Sequence, residues 1–150
     1  MTGRGKYMTT ETFSQQETYD IGKRIGEEAA KGDIITLSGD LGVGKTVFAQ
    51  GVAAGLGVTD SVCSPTFTIL QVYDDGRLPL YHFDTYRIED PGEMEVIGYE
   101  DYFFGDGVCL IEWPEMVEEL LPNAVTTVKI KKDPAQGTDF RKIDIDRFEN

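Results

Sequence analysis

One glycine-rich pattern constrains the fold of this chain more than any other part of its sequence. It occupies residues 39–46 and consists of Gly39, Asp40, Leu41, Gly42, Val43, Gly44, Lys45 and Thr46. These residues fit G-x-x-x-x-G-K-[ST] in full, between an apolar run at 33–38 and a helix-forming run at 46–56. The glycines allow the backbone to curl, so that its N–H groups and the helix N-terminus face an anion. The pattern predicts a nucleotide site in which Lys45 reaches the terminal phosphates and Thr46 is a ligand for Mg²⁺.

Size and charge limit the remaining possibilities. A chain of 150 residues with 40% hydrophobic residues is long enough to bury one core, so we expect a single folded domain. Its formal net charge of -13 repels the phosphates of RNA and DNA, which disfavours direct nucleic-acid binding. The acidic surface is either a solvated face or a surface that steers the chain to a basic partner protein.

The sequence also bears on location and redox state. No apolar run reaches the length of a membrane span, and the first twenty residues lack the pattern of a secretory signal. We therefore expect a cytoplasmic protein. Cys63 and Cys109 lack the paired spacing of a zinc or redox motif and are expected to be free thiols. Cys109 lies in an apolar run and is expected in the core.

The order of the elements predicts an α/β domain over residues 14–150, preceded by a loose polar leader at 1–13. Ser14 and Glu17 have the spacing of a capping box and begin a helix that ends near Gly32. A short helix follows Asp90-Pro91, and another, acidic, runs over 114–121.

Strands are expected at 34–37, 66–73, 78–83, 108–111, 125–130 and 140–145. Those at 34–37 and 108–111 form a parallel core pair, and antiparallel hairpins extend it. Gly76 in the turn at 74–77 is expected to have a positive φ. The fold class is thus a single-domain P-loop NTPase with a mixed parallel and antiparallel central sheet flanked by helices.

Two carboxylates follow apolar runs and are expected to project from strand ends near the loop. They are Asp84 and Glu112, and Glu112 is the Walker B candidate. A carboxylate at the edge of a core is costly unless a cation or hydrogen-bond donors accompany it, and Mg²⁺ with its waters meets this need. The alternative for each is a helix cap or a salt bridge. His82 has no obvious ligand or nucleophile partner and is interpreted as a satisfied strand-end histidine without a catalytic role.

A loop and an arginine are further candidates. The segment Ser64 to Thr68 follows the phosphate-loop helix, where a loop that senses the γ-phosphate is common, and the Thr66 hydroxyl is a candidate for binding Mg²⁺ or a catalytic water. An ordinary turn into a strand is an equal alternative. Arg87 is a candidate for contact with a phosphate or a partner. No Asn-Lys-x-Asp element is present to read guanine, so adenine is the expected base.

With these residues in view, the chain closely resembles the TsaE family of small bacterial P-loop ATPases, which are required for threonylcarbamoyladenosine in tRNA. Four ordered blocks carry the resemblance: residues 39–46, Ser64-Pro65-Thr66-Phe67-Thr68, His82-Phe83-Asp84-Thr85-Tyr86-Arg87 and Ile111-Glu112-Trp113-Pro114. The resemblance implies that Thr46 and Glu112 hold Mg²⁺, that Asp84 is needed for hydrolysis and that Trp113 flanks the nucleotide. It also implies docking on the proteins TsaB and TsaD, with tRNA handled only through that complex.

The resemblance points to the base-binding region by position alone. In the family the first helix and the C-terminal hairpin turn surround the base. These correspond to Ser14 or Gln15 and to Gln136 or Gly137 in this chain.

Two other functions remain open from the phosphate loop. One is a small-molecule kinase, against which stands the lack of an arginine-rich lid. The other is an ATP-sensing module, in which ATP orders the loop at 64–68 for a partner and hydrolysis is incidental.

Overall fold

The structure is a computed structural model that describes residues 4–40, 43–63, 65 and 68–149. Within them the strands are β1 (Arg4–Thr12), β2 (Ile34–Ser38), β3 (Leu70–Tyr73), β4 (Leu80–Asp84), β5 (Val108–Glu112), β6 (Thr126–Lys132) and β7 (Arg141–Glu149). The helices are α1 (Gln15–Glu28), α2 (Lys45–Gly55), α3 (Glu93–Ile97) and α4 (Tyr99–Phe103). Short 3₁₀ segments cover Pro114–Leu120 and Pro134–Gln136.

A single mixed sheet unites these strands. Over the described residues its order is β1-β7-β6-β2-β5-β4-β3. The inner strands β6, β2, β5 and β4 are parallel, and β3, β7 and β1 pair antiparallel at the two sides. The predicted fold class, the parallel pair of β2 with β5 and the two antiparallel hairpins are therefore confirmed.

The two faces of the sheet carry separate apolar clusters. Ile35 and Leu37 of β2 pack with α1 and α2, whereas Ile34 packs in the cluster that contains residues of α3 and α4. On β4, Leu80 belongs to the α1/α2 face and Phe83 to the opposite one. Since side chains alternate along a strand, His82 and Asp84 share the face of Leu80. His82 and Asp84 therefore lie on the same face of the sheet as α2, the helix that follows the phosphate loop.

Helices α1 and α2 approach each other backbone to backbone. A Cβ on Gly22 or Gly26 of α1 would lie 2.4 Å from the Phe48 oxygen or 2.1 Å from the Val52 oxygen of α2. Gly51 of α2 is as close to the backbone of α1, with a Cβ 2.2 Å from the Tyr19 oxygen. These glycines allow close packing that holds the N-terminus of α2 in place.

The polar composition of residues 1–13 predicts a loose leader, and this is wrong for residues 4–12. They form edge strand β1, paired with β7 from Arg4 opposite Glu149 to Thr12 opposite Arg141. Main-chain pairing, which a polar sequence does not reveal, joins it to β7, and the hydroxyls of Tyr7 and Thr9 also donate to Asp144 of β7. Thr12 is buried, and its hydroxyl lies 2.7 Å from that of Thr18 in α1. Residues 1–3 lie outside the described residues.

Two further predictions need correction. Residues 68 and 69 are not in a strand, because the Ile69 N–H donates to the Pro65 oxygen at 2.9 Å and Ile69 has a φ of 67°. Residues 66 and 67, also predicted as strand, lie outside the described residues. Gly76 does not have a positive φ. It is required because a Cβ there would lie 2.4 Å from the Leu56 oxygen at the end of α2.

Candidate functional site

The phosphate loop leads from β2 into α2. Gly39 has a φ of 152°, and a Cβ on it would lie 2.6 Å from the Ile130 oxygen and 2.7 Å from Val43 Cγ1. Gly44 has a φ of 102° immediately before α2. Both glycines therefore hold conformations that other residues rarely adopt. The predicted contacts of Leu41 and Gly42 lie outside the described residues.

Lys45 is folded back against this loop. Its Nζ donates to the Gly39 oxygen at 2.8 Å and lies 3.7 Å from the centroid of the Trp113 ring. Burial lowers the pKa of Lys45, and the neighbouring carboxylates of Glu112 and Asp84 oppose that shift. A cation that is partly removed from water and lies near carboxylates is suited to bind phosphate oxygens.

The carboxylates of Asp84 and Glu112 come from neighbouring parallel strands. Asp84 lies opposite Glu112 in the register of β4 and β5, and both residues are buried, at 5% and 3% exposure. Both act electrostatically on Lys45. The structure thus brings together Lys45, Asp84 and Glu112, as the strand ends predict.

Both the backbone and the side chain of Asp84 make hydrogen bonds to neighbouring loop residues. Its N–H donates to the Ile69 oxygen at 2.7 Å, and its Oδ1 accepts from the Tyr86 N–H at 3.1 Å. The Ile69 N–H in turn donates a hydrogen bond to the Pro65 oxygen. Ile69 is therefore held between Asp84 and Pro65. Thr66 itself lies outside the described residues, so its role stays a prediction.

His82 has a partner that its sequence position does not reveal. Its Nε2 lies 2.7 Å from Glu112 Oε2, and both side chains are almost completely buried. The interpretation of His82 as a satisfied strand-end histidine agrees with this contact at Nε2, but the premise that no candidate ligand lies nearby is wrong, because Glu112 is one. The contact depends on the pairing of β4 with β5, and sequence reasoning does not give that register.

Thr85 and Trp113 shape the end of β5. Trp113 has a left-handed backbone, with a φ of 59°, and its ring centroid lies 4.9 Å from that of Tyr86. The buried Thr85 hydroxyl lies 2.7 Å from the Trp113 oxygen and 3.0 Å from the Glu112 oxygen. Thr85 therefore helps to hold the turn that places the indole ring over Lys45. Sequence reasoning missed it, since one threonine in a polar run carries no signal. Arg87, the predicted phosphate or partner contact, is exposed two residues beyond Thr85.

A cleft beside the loop contains one of the predicted base-binding residues. It is lined by Gln15, Thr18, Gly44, Val47, Asp139 and Arg141. Gln15 thus lies next to the phosphate loop. Gly137, in the turn between β6 and β7, does not line this cleft, and a Cβ added to it would meet no atom within 4 Å. Its contact with the base stays a prediction.

Arg141 connects the C-terminal hairpin to the phosphate loop. Its Nε donates to the Val43 oxygen at 2.6 Å, and its Nη1 donates to the oxygens of Thr138 and Phe140 at 2.8 and 2.7 Å. These bonds to carbonyls fix the loop against the start of β7. Sequence reasoning missed Arg141 because it lies 98 positions from Val43.

The donor chemistry fits Mg²⁺. No group of three or more His, Cys, Asp or Glu side chains within the described residues is arranged to hold a metal alone. Mg²⁺ typically uses one or two carboxylates together with phosphate oxygens and water. Buried Glu112 and the exposed Thr46 in the first turn of α2 are residues of the required type. Asp40 is also exposed at the start of the loop.

None of the helices in the described parts of the chain is long and apolar enough to cross a membrane.

Comparisons with known proteins identify the family of this chain. Residues 12–143 match the family model described as threonylcarbamoyl adenosine biosynthesis protein TsaE. The chain is similar to the tRNA threonylcarbamoyladenosine biosynthesis protein TsaE of Bacillus subtilis, with 49% identity over 92% of this chain and 84% of the relative. The protein of the same name from Treponema pallidum is 42% identical, over 79% of this chain and 87% of its own length.

A solved structure is similar over nearly the whole chain. The crystal structure of Bacillus subtilis YdiB aligns with a TM-score of 0.82 and 42% sequence identity. The alignment covers 96% of this chain and 87% of the YdiB chain.

Proposed function

The chain belongs to the TsaE family, which takes part in tRNA threonylcarbamoyladenosine biosynthesis, and we propose that it contributes as a Mg²⁺-dependent ATPase. The observation that carries the proposal is the convergence of Lys45, Asp84 and Glu112 at the end of β4 and β5, beside the first turn of α2. A phosphate loop with a lysine and two buried carboxylates provides the groups that nucleoside triphosphate hydrolysis requires.

The roles follow from position and chemistry. Lys45 exchanges its bond to the Gly39 oxygen for the terminal phosphates, while the N–H groups at the start of α2 face the same anion. Thr46 and Glu112 would hold Mg²⁺, which would neutralise the charge of the phosphates. Asp84 orients the attacking water and accepts its proton; the water oxygen bonds to the γ-phosphorus while the bond to the bridging oxygen of ADP breaks, and Asp84 then returns the proton to solvent. The products are ADP and inorganic phosphate.

Partners and location extend the proposal. We infer that the chain acts in a complex with TsaB and TsaD and contacts tRNA only through that complex. The net charge of -13 supports this, since it disfavours a direct nucleic-acid contact. ATP is the proposed nucleotide because no guanine-reading element is present in the sequence. The proposed location is the cytoplasm.

Release of inorganic phosphate from ATP tests the chemistry. Asp84→Asn keeps the size of the side chain and removes its charge, so we expect a fall in rate of about 10²-fold or more with ATP still bound. The control is Asp106→Asn, an exposed carboxylate paired with Lys31 near the opposite end of β5. An Asp84→Asn variant that hydrolyses ATP at the normal rate contradicts the proposal.

The same variant separates the alternatives. Phosphate transfer to a metabolite, rather than release, indicates a kinase. An Asp84→Asn variant that binds ATP and fully supports tRNA modification indicates an ATP-sensing module, whose partner contact needs binding alone.

A further inference from the structure

We propose that His82 is a positioning residue that sets the orientation of the Glu112 carboxylate. The inference rests on the proposed function, in which Glu112 faces the Mg²⁺ nucleotide. It assigns His82 no contact with substrate. Three observations support it: a short hydrogen bond between the two side chains, the burial of both, and a buried ring nitrogen, Nδ1, that has no hydrogen-bond partner among the described residues.

The register of the sheet creates the contact. His82 lies opposite Leu110, and Asp84 lies opposite Glu112, so His82 and Glu112 are diagonal neighbours on one face. Diagonal pairs on a sheet are within reach of long side chains. The distance of 2.7 Å between Nε2 and Oε2 is that of a strong hydrogen bond.

The chemistry of the pair fixes the tautomer. An ionised carboxylate only accepts, so when Glu112 is charged the Nε2–H group donates a hydrogen bond to Oε2. In the neutral ring Nδ1 is then an acceptor. Nδ1 is completely buried and has no hydrogen-bond partner among the described residues.

An unpaired buried nitrogen argues against a purely structural role. Burial of a polar atom without a partner costs free energy, and an apolar side chain of similar volume would avoid that cost. His82 is nevertheless fully buried beside Glu112. The hydrogen bond to Glu112 is the compensating feature, and its effect is to restrict the rotation of that carboxylate. Loss of a hydrogen-bond partner that orients a metal-binding carboxylate typically weakens the affinity for the metal.

The Mg²⁺ dependence of nucleotide binding tests this role. His82→Leu removes the donor, and we expect the Mg²⁺ concentration for half-maximal enhancement of ATP binding to rise about tenfold or more. His82→Gln carries an N–H at the position of Nε2 and should restore most of the loss. Phe83→Leu is the matched control, because it shortens a fully buried side chain of the same strand on the opposite face. Normal Mg²⁺ dependence in His82→Leu, or an equal loss in Phe83→Leu, overturns the proposal.

A second measurement needs neither ATP nor Mg²⁺. His82 is the only histidine of the chain, so ¹⁵N-histidine labelling gives a single imidazole by NMR. We expect a proton on Nε2, and a ring signal that shifts in Glu112→Ala. A proton on Nδ1 alone overturns the proposal. If the tautomer is as expected but Mg²⁺ has no effect on nucleotide binding in the unmodified protein, the proposed function fails while the His82–Glu112 contact stands.

Discussion

The Lys45 ammonium lies 3.7 Å from the centroid of the Trp113 ring while it donates to the Gly39 oxygen at 2.8 Å. An ammonium over an indole face is attracted to the ring, and burial strengthens that attraction. Lys45 is therefore held inside its own loop by interactions that the phosphates of the proposed nucleotide would replace. The negative charges of Glu112 and Asp84 favour the charged form of Lys45 and so oppose the lowering of its pKa by burial.

Nucleotide binding is therefore expected to change the fluorescence of Trp113, the only tryptophan of the chain. Lys45→Met removes the charge that moves relative to the ring and should abolish the change and most of the binding. Lys31→Met, which affects an exposed lysine paired with Asp106, should leave both intact. A full fluorescence response in Lys45→Met would show that the Lys45 ammonium does not cause the change in Trp113 fluorescence.

Gly39→Ala is expected to disrupt the loop. Its φ of 152° and the Cβ distance of 2.6 Å to the Ile130 oxygen leave no room for a methyl group. We expect a loss of about 1–3 kcal/mol in the free energy of unfolding from backbone strain, and loss of nucleotide binding. Gly92→Ala is the control, because its Cβ would make only ordinary contacts, from 3.5 Å. Urea denaturation measures the two effects, and equal stability of the two variants contradicts this account.

Arg141→Lys is expected to loosen the phosphate loop. A lysine cannot reproduce the fork that bonds the oxygens of Val43, Thr138 and Phe140. We expect the free energy of nucleotide binding to weaken by about 1.4 kcal/mol, which is a loss of about tenfold in affinity. The fluorescence of Trp113 measures this change. Lys142→Ala, at the next and exposed position of β7, should bind normally. If Arg141→Lys also binds normally, the hairpin does not support the loop.

Stability at alkaline pH is expected to depend on Cys109. Burial raises the pKa of its thiol from 9.0 to about 12. The folded state thus keeps a proton that the unfolded chain loses, so this contribution is complete below about pH 9 and declines as the pH rises towards about 12. The free energy of unfolding should fall less steeply across this window in Cys109→Ala than in the unmodified protein. Identical slopes would contradict the shift.

Thiol labelling checks the same environment at neutral pH. Exposed Cys63 should react with an alkylating reagent in the folded protein, whereas buried Cys109 should react only after unfolding. Rapid labelling of Cys109 in the folded state would show that the thiol is accessible.

Local sequence patterns predicted the parts of the fold that depend on neighbouring residues. The pattern at residues 39–46 located the phosphate loop, and the capping box at Ser14 located α1, where the Ser14 side chain accepts from the Glu17 N–H. Apolar runs that end in Asp84 and Glu112 placed both carboxylates at adjacent strand ends.

The features that sequence reasoning missed depend on contacts between distant segments. The bond from His82 to Glu112 needs the register of β4 against β5, and that from Arg141 to Val43 needs the position of β7 beside the loop. β1 was missed because an edge strand is held by backbone bonds that leave no apolar pattern. The requirement for glycine at position 76 came from a close approach of the α2 end, which the turn sequence does not show.

The most direct test of the central claim is phosphate release from ATP during tRNA modification, with the chain combined with TsaB, TsaD, tRNA and the threonylcarbamoyl donor. We predict that the partners accelerate phosphate release and that repeated formation of threonylcarbamoyladenosine requires it. Asp84→Asn should bind the complex yet abolish both. Repeated modification by a complex that contains Asp84→Asn, with no phosphate released, would contradict the claim that ATP hydrolysis at this site supports the reaction.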